Sequence, residues 1–346
     1  MVNTPEFMKT IAMTSRIRLA RNLSGFPFPS KMTKQHALEI LYLVERALRK
    51  IDPGEYRHFS IDKLSHSEAS SLQEKYIISE ALSKRLNGGG VFVSKDEAVS
   101  IMVNEEDHLR EQYILKGFDL YRAYERLSAI DDGLSTVLDF AFDERLGYLT
   151  ACPSNLGTGM RASVMLFLPG LTWTGELKEE IRSWKAQGMT VRGAFGEGSI
   201  AEGYQYQVSN ERTLGLSEKE ILELVTEFTM VLCDREIVAR ERLLEEAETE
   251  TRDRVLRAYG TLCNCALLDL PEFLNKIAEV RVGIALGFLK VTNEKKFEEF
   301  LDDMRPATFC LNHMLEGENE RFYDEVRAET VGRMLPNLVY AVRRGE

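Results

Sequence analysis

No stretch of this chain comes near the about 18 consecutive apolar residues that a membrane-spanning helix requires. Its first ten residues, MVNTPEFMKT, also lack the charged-then-apolar pattern of a secretory signal. A soluble, cytoplasmic protein without a membrane partner is therefore expected. Basic excess is missing too: 44 Lys and Arg stand against 55 Asp and Glu in 346 residues, a net charge of −11. That balance argues against direct nucleic-acid binding, because counterion release needs a basic surface. Cysteines are few and odd in number (Cys152, Cys233, Cys263, Cys265, Cys310), which fits reduced thiols better than a disulfide framework. The Cys263–Cys265 spacing is not that of a zinc site, no second pair completes one, and the five histidines form no ligand motif, so no structural metal is expected. Internal repeats and low-complexity linkers are absent as well.

What remains is an ordinary globular composition, 44% apolar and 29% charged, at a length that suits two domains or one large domain with an appendage. Ala37, Leu41, Val44, Leu48 and Ile51 recur at steps of four and three, which predicts an amphipathic helix over Thr33–Ile51, stopped by Asp52-Pro53-Gly54. A second helix is expected over Ser67–Leu86. Val91/Val93 and Val99/Ile101/Val103 alternate around a polar stretch and predict a hairpin; Phe140/Phe142 and Leu146/Tyr148 predict another. A helix over about Phe118–Ile130 and strands at Val164–Leu168, Met189–Phe195 and Tyr204–Val208 complete the first part. Hairpins in place of regular βαβ alternation predict an α+β fold, an antiparallel sheet flanked by helices. From Ser217, where Ser217 and Glu220 form a capping box, a helical pattern runs to about Tyr259 and no convincing strand follows. Residues 1–244 are thus expected to form one domain and residues 245–346 a smaller all-helical one.

Four segments carry candidate chemistry. In TSRIRLARN, Arg16 and Arg18 are two apart, so an extended chain places both guanidinium groups on one face, where planar forks suit phosphate oxygens. Taken alone, two solvated surface arginines are the commoner explanation. NEEDHLR, Asn104–Arg110, follows a strand and suits a cationic substrate, although acids enriched at a helix N-terminus explain it equally. CPSNLGTGMRASV, Cys152–Val164, joins a cysteine, a glycine bend and Arg161, without the spacing of a Walker A or dinucleotide fingerprint. A tight turn accounts for its glycines. RGAFGEGS, Arg192–Ser199, repeats the theme with Glu197. Together these are the parts for binding a nucleoside triphosphate beside a cationic acceptor.

In this order the four motifs resemble the catalytic-domain signatures of the phosphagen (guanidino) kinases, and within them the bacterial protein-arginine kinases, the McsB group. The resemblance covers about Thr14–Asn210 and continues weakly to the C-terminus. Small-molecule guanidino kinases carry a helical domain ahead of the catalytic one. With arginines at 16 and 18 that domain is expected to be missing, and an open site that accepts an arginine displayed on a protein is expected. The resemblance implies transfer of the ATP γ-phosphoryl group, with Mg²⁺, to protein arginines, marking them for proteolysis or inactivating a stress repressor. A kinase of a small guanidino compound, or a non-catalytic adaptor binding a repressor, are the competing functions.

By the same resemblance Glu106, Glu197 and Cys152 are catalytic. Thr14, Ser15, Arg16, Ile17, Arg18, Tyr76, Arg110, Arg161, Ala162, Ser163, Val164, Met165, Arg192, Gly193, Ala194, Phe195, Gly196 and Glu197 contact the nucleotide. Glu105 and Asp107 support them. Tyr76 stands where the group usually has histidine. The group's phosphoarginine-binding RDxxRA motif is matched by YDEVRA: Asp324, Arg327 and Ala328 are kept, and Tyr323 replaces the leading arginine. A homodimer through the C-terminal helices, a zinc-finger activator (McsA) and the Clp protease machinery are the implied partners.

Overall fold

The computed structural model describes residues 10–84, 88–185, 187–193 and 202–342. The first strand, β1 (Ala12–Arg21), leads to α1 (Lys34–Ile51), β2 (Tyr56–Ser60), α2 (His66–Glu74) and α3 (Glu80–Ser83). Three strands follow, β3 (Gly90–Ser94), β4 (Val99–Val103) and β5 (Leu109–Lys116), then α4 (Leu120–Ser135) and the short pair β6 (Phe142–Asp143) and β7 (Gly147–Tyr148). Next come β8 (Met160–Phe167), α5 (Pro169–Thr174), α6 (Leu177–Lys185), β9 (Met189–Gly193) and β10 (Gln205–Asn210). The remainder is α7 (Glu218–Glu246), α8 (Glu248–Asn264), α9 (Leu270–Ala285), β11 (Leu289–Val291), α10 (Glu294–Asp303), α11 (Pro306–Asn312), α12 (Glu320–Leu338) and β12 (Val339–Ala341).

Eight strands form one sheet in the order β2-β3-β4-β5-β1-β8-β10-β9. Every pair from β2 across to β8 is antiparallel. The fold is therefore α+β with an antiparallel sheet flanked by helices, as the hairpin pattern implied. The helix α1 begins where the Thr33 hydroxyl accepts from the His36 amide, and Arg49 and Lys50 sit in its last turn, where the helix dipole favours cations. Its stripe of Ile40, Leu41, Val44 and Leu48 is buried, which stabilises by about 1.5–3 kcal/mol per side chain. In β1 the side chains alternate: Ile17 and Leu19 go into the core, while Arg16 and Arg18 take the other face.

Three expectations change in detail. The helix expected over Ser67–Leu86 is broken: α2 ends at Glu74, Tyr76 takes a left-handed φ of 59°, and α3 restarts at an Ser79 N-cap. The cause is tertiary, since Gln112 Nε2 donates to the Tyr76 carbonyl and pulls the chain out of helical register. The long helical run divides at Ala247 into α7 and α8. The C-terminal part is helical but also carries a two-stranded ladder, β11–β12, whose three-residue strands are too short to leave a period-two signature.

The chain divides into two compact units. One comprises Met1–Leu166, Ile181–Val191 and Gln207–Val231, the other Phe167–Glu180, Arg192–Tyr206 and Leu232–Glu346. The second has its own core of Val255, Leu262, Phe273, Val280, Phe300, Phe309, Val331 and Leu335. There the buried Glu236 carboxylate accepts from the Gly170 and Leu171 amides at 2.9 Å each and from Arg240 at 2.7 Å, satisfying the first turn of α5. No described helix is long and apolar enough to cross a membrane.

Candidate active site

The alternation of β1 and its two ladders decides which residues meet. Arg18 lies opposite Arg161 on β8 and opposite Gln112 on β5; Arg16 lies opposite Ser163, and Ala20 opposite Arg110. Directly paired residues share a face of the sheet. Thr14, Arg16, Arg18, Arg110, Arg161, Ser163 and Met165 therefore line one surface. Ser15, Ile17, Ala162 and Val164 lie on the opposite face and are buried. Ser15 there donates to the Gly117 carbonyl at 2.9 Å and accepts from the Asp119 amide, fixing the entry to α4.

Four guanidinium groups share that face. Arg110 Nη1 donates to both Glu105 oxygens at 2.8 and 2.6 Å, and the Ser79 hydroxyl donates to the same carboxylate at 2.6 Å. Among the described residues, Arg16 donates to neutral partners, Gln207 Oε1 at 2.7 Å and the Ser163 hydroxyl at 3.5 Å. Arg18 Nε is buried without an acceptor among the described residues. Burial first, then the charges of Arg110 and Arg161, lowers the Arg16 pKa to about 10, although the nearby Tyr76 phenol works the other way. Burial, then Arg16, Arg110 and Arg161, pushes Arg18 well below the arginine range. Desolvated like charges are held together at a cost, which a polyanion relieves.

The acidic segment Asn104–Arg110 sits beside this face. Glu106 is exposed, whereas Glu105 and Asp107 on either side of it are buried. Asp107 Oδ1 accepts from Asn22 Nδ2 and from the Ala151 amide, both at 2.6 Å, so it ties this segment to the residue before Cys152. Burial raises the Asp107 pKa, with the hydrogen bonds opposing. His108 is structural: Nδ1 accepts from the Leu23 amide and Nε2 donates to the Pro27 carbonyl, both at 3.0 Å. Burial lowers its pKa, with the bond to Pro27 opposing. Cys152 is half-buried, its sulfur 3.0 Å from the Ser154 hydroxyl. Tyr76 is 40% exposed. Arg192, exposed, and Gly193 end β9, while Ala194, Phe195, Gly196 and Glu197 lie outside the described residues.

Sequence reasoning missed Gln207, Gln112 and Asn104. The first two reach the arginine face only through sheet register. Asn104 has a φ of 62° and its amide donates to the Ala37 and Gly88 carbonyls at 2.9 and 2.7 Å. An asparagine just past a strand is a known signal for that left-handed conformation.

Residues 39–239 match the family described as ATP:guanido phosphotransferase, C-terminal catalytic domain, and residues 248–341 match the protein-arginine kinase McsB C-terminal domain. A protein-arginine kinase of Caldanaerobacter subterraneus subsp. tengcongensis is 40% identical over 305 residues, covering 87% of this chain and 90% of that relative. The chain belongs to the protein-arginine kinases. A second such relative, from Clostridium tetani, is 38% identical over 331 residues, 95% of this kinase and 96% of its own length. Among solved structures, the substrate-free duplicated taurocyamine kinase from Schistosoma mansoni is similar with a TM-score of 0.61 and 26% identity. That likeness covers 76% of this kinase but only 41% of the duplicated chain.

The kinase's YDEVRA segment lies on α12. The Tyr323 hydroxyl donates to the Leu315 carbonyl at 2.8 Å and is 3.2 Å from the Cys310 sulfur. Arg327 is buried, donating to the Leu268 carbonyl at 2.7 Å and to Asp324 at 2.9 Å. Ala328 is packed in the core.

Proposed function

We propose that this kinase uses MgATP to phosphorylate the guanidinium group of arginines in proteins, with the arginine face as its triphosphate site. The observation that carries the reading is Arg18 opposite Arg161, flanked by Arg16 and Arg110, with a lowered pKa and a buried Nε lacking an acceptor among the described residues. Such a set fits the oxygens of a triphosphate, and we add Arg192 to it. Mg²⁺ travelling with the nucleotide would neutralise part of the charge that develops during transfer. Tyr76, beside Arg16, flanks the nucleotide, and the resemblance to the guanidino kinases adds Gly193 to Glu197 as nucleotide contacts.

An acceptor guanidinium is protonated at any physiological pH, its pKa being above ~12. Carboxylates that fork onto its N–H groups fix its plane and take up the proton released as the N–P bond forms. Glu106 is the exposed carboxylate of the acidic segment, and we assign it this task together with Glu197. Cys152, joined to that segment through Ala151 and Asp107, orients the acceptor and is not a covalent nucleophile. We further assign residues 1–244 to catalysis and 245–346 to regulation and dimerisation, with a zinc-finger activator and the Clp machinery as cytoplasmic partners. The match of residues 248–341 to the group's C-terminal domain supports that division.

The test is mass spectrometry of a protein substrate after incubation with MgATP under conditions that preserve acid-labile phosphoarginine. Phosphoarginine on the protein is expected, and its loss in Arg18→Met. Phosphorylation of free guanidino compounds alone would overturn the protein-acceptor reading.

A further inference from the structure

Behind the arginine face lies a second charged cluster that the proposed mechanism does not use. Arg21 is 1% exposed, and all three of its guanidinium nitrogens are engaged. Nε and Nη2 fork onto Asp131 of α4 at 2.7–3.1 Å, while Nη1 donates to the carbonyls of Ala20 at 2.9 Å and Thr158 at 3.0 Å. The ring of Tyr148 stacks on the guanidinium at 3.5 Å. Arg21 thus holds the backbone of the loop between Cys152 and Arg161.

The glycines of that loop have a steric reason. A Cβ on Gly159, whose φ is +64°, would lie 2.6 Å from Arg21 Nη1 and 2.7 Å from the Ala20 carbonyl. The Ala20 amide donates to the Gly159 carbonyl at 3.0 Å, so β1 and Arg21 grip the loop from one side. Met160 opens β8 immediately afterwards, and Arg161 faces Arg18. A slip at Gly159 would displace Arg161 directly.

Glu111 makes this cluster unusual. It is wholly buried, and neither carboxyl oxygen receives a hydrogen bond among the described residues. The charge of another buried carboxyl, Asp131, acts on it. Asp132 of α4 and Tyr56 of β2 also interact electrostatically with it, and Arg21 is a cation that opposes them. Two buried carboxylates against one guanidinium leave one negative charge unpaired, which the interior disfavours strongly.

We propose that Arg21 is a positioning residue for the Cys152–Arg161 loop, and that Glu111 supports it as a protonated acid donating its hydrogen bond to Asp131. The proton removes the surplus charge and leaves the Asp131 carboxylate fully committed to Arg21. Burial, then the Asp131 charge, raises the Glu111 pKa well above the carboxylate range, against the pull of Arg21, in agreement with that assignment. The catalytic consequence rests on the reading of this loop as part of the active site.

The test combines three readouts on the full chain. Infrared difference spectra of wild type against Glu111→Gln at neutral pH should show a protonated-carboxyl band that the variant lacks. Glu111→Gln keeps a donor for Asp131, so its loop-amide hydrogen exchange and phosphorylation rate should stay within about twofold of wild type. Arg21→Lys, which loses the planar fork, should speed exchange of the Thr158–Met160 amides by about tenfold and lower kcat by about 100-fold. Should Arg21→Lys not fold, Gly159→Ala strikes the same contact from the loop side and should do likewise. An absent band, or a Glu111→Gln loop as loose as that of Arg21→Lys, would overturn the neutral-acid assignment. Faster exchange with unchanged kcat would overturn the positioning role. If wild type phosphorylated no protein, the reading of the site would fail, while exchange and the infrared band would still decide the clamp.

Discussion

Arg18 and Arg161 face each other across the β1–β8 ladder, two cations at a directly paired position where unlike charges or apolar side chains are the stabilising choice. The arrangement costs stability, as the proposed triphosphate site would require. Arg18→Met is therefore expected to raise the melting temperature of the nucleotide-free protein while lowering phosphorylation by about 100-fold or more, the usual loss of one charge-stabilising donor. Thermal melts with and without MgATP, alongside a phosphorylation assay, check both halves. A lower melting temperature with unchanged activity would count against the triphosphate site.

The Arg16 pKa of about 10 gives the same strain a pH signature. Because the folded value lies below that of the free side chain, the folded protein loses this proton first as pH rises. Between about 10 and the ordinary arginine value the unfolded chain then holds more protons, so this group's contribution to stability rises with pH. The slope of melting temperature against pH above 10 should be more positive in wild type than in Arg16→Met. Equal slopes would show that burial leaves Arg16 unstrained.

Glu106 and Asp107 are adjacent but do different things. If Glu106 acts on the acceptor's proton as proposed, Glu106→Gln is expected to keep ATP affinity, measured by calorimetry, while cutting phosphorylation by about 100-fold or more. Asp107→Asn keeps the shape but offers a weaker acceptor to the Ala151 amide. It should loosen the Cys152 segment and change the alkylation rate of Cys152 as well as the turnover. Loss of ATP binding in Glu106→Gln as severe as in Arg18→Met would reassign that glutamate to the nucleotide.

Tyr323 bears on the proposed regulation. Its hydroxyl already donates to the Leu315 carbonyl, and a neutral donor contributes about 0.5–1.5 kcal/mol where a charged one contributes about 1.5–3. Free phosphoarginine is therefore expected to bind the wild type weakly, with Tyr323→Arg binding it roughly tenfold more tightly, as calorimetry would measure. Tight binding by the wild type would place the pocket elsewhere.

How much of this was legible in the sequence depends on how far apart the determinants lie. The alternation of Arg16 and Arg18 shows in the sequence because strand periodicity is local. That Arg161 and Arg110 join the same face needs the β1–β8 and β1–β5 registers, which no short window encodes. Gln207, 191 residues from the Arg16 it binds, was beyond reach for the same reason. The break at Tyr76 illustrates a contact overriding helical propensity, since the sequence from Ser67 onward is compatible with helix until Gln112 captures its backbone. Arg21 and Glu111 hid in plain view: charged residues in charged motifs carry no sequence mark of being wholly buried.

Asn104 introduces the acidic segment in a fixed left-handed bend, with its amide bonded to two separate parts of the chain. Asn22 secures the His108 amide at 2.9 Å, so both ends of the five-residue span bearing Glu106 are anchored. A span so held has little conformational freedom left to surrender when a partner arrives. The ordering penalty of complex formation therefore falls on the incoming polypeptide, and arginines that are already held extended at a surface start with less to lose than those on slack tails.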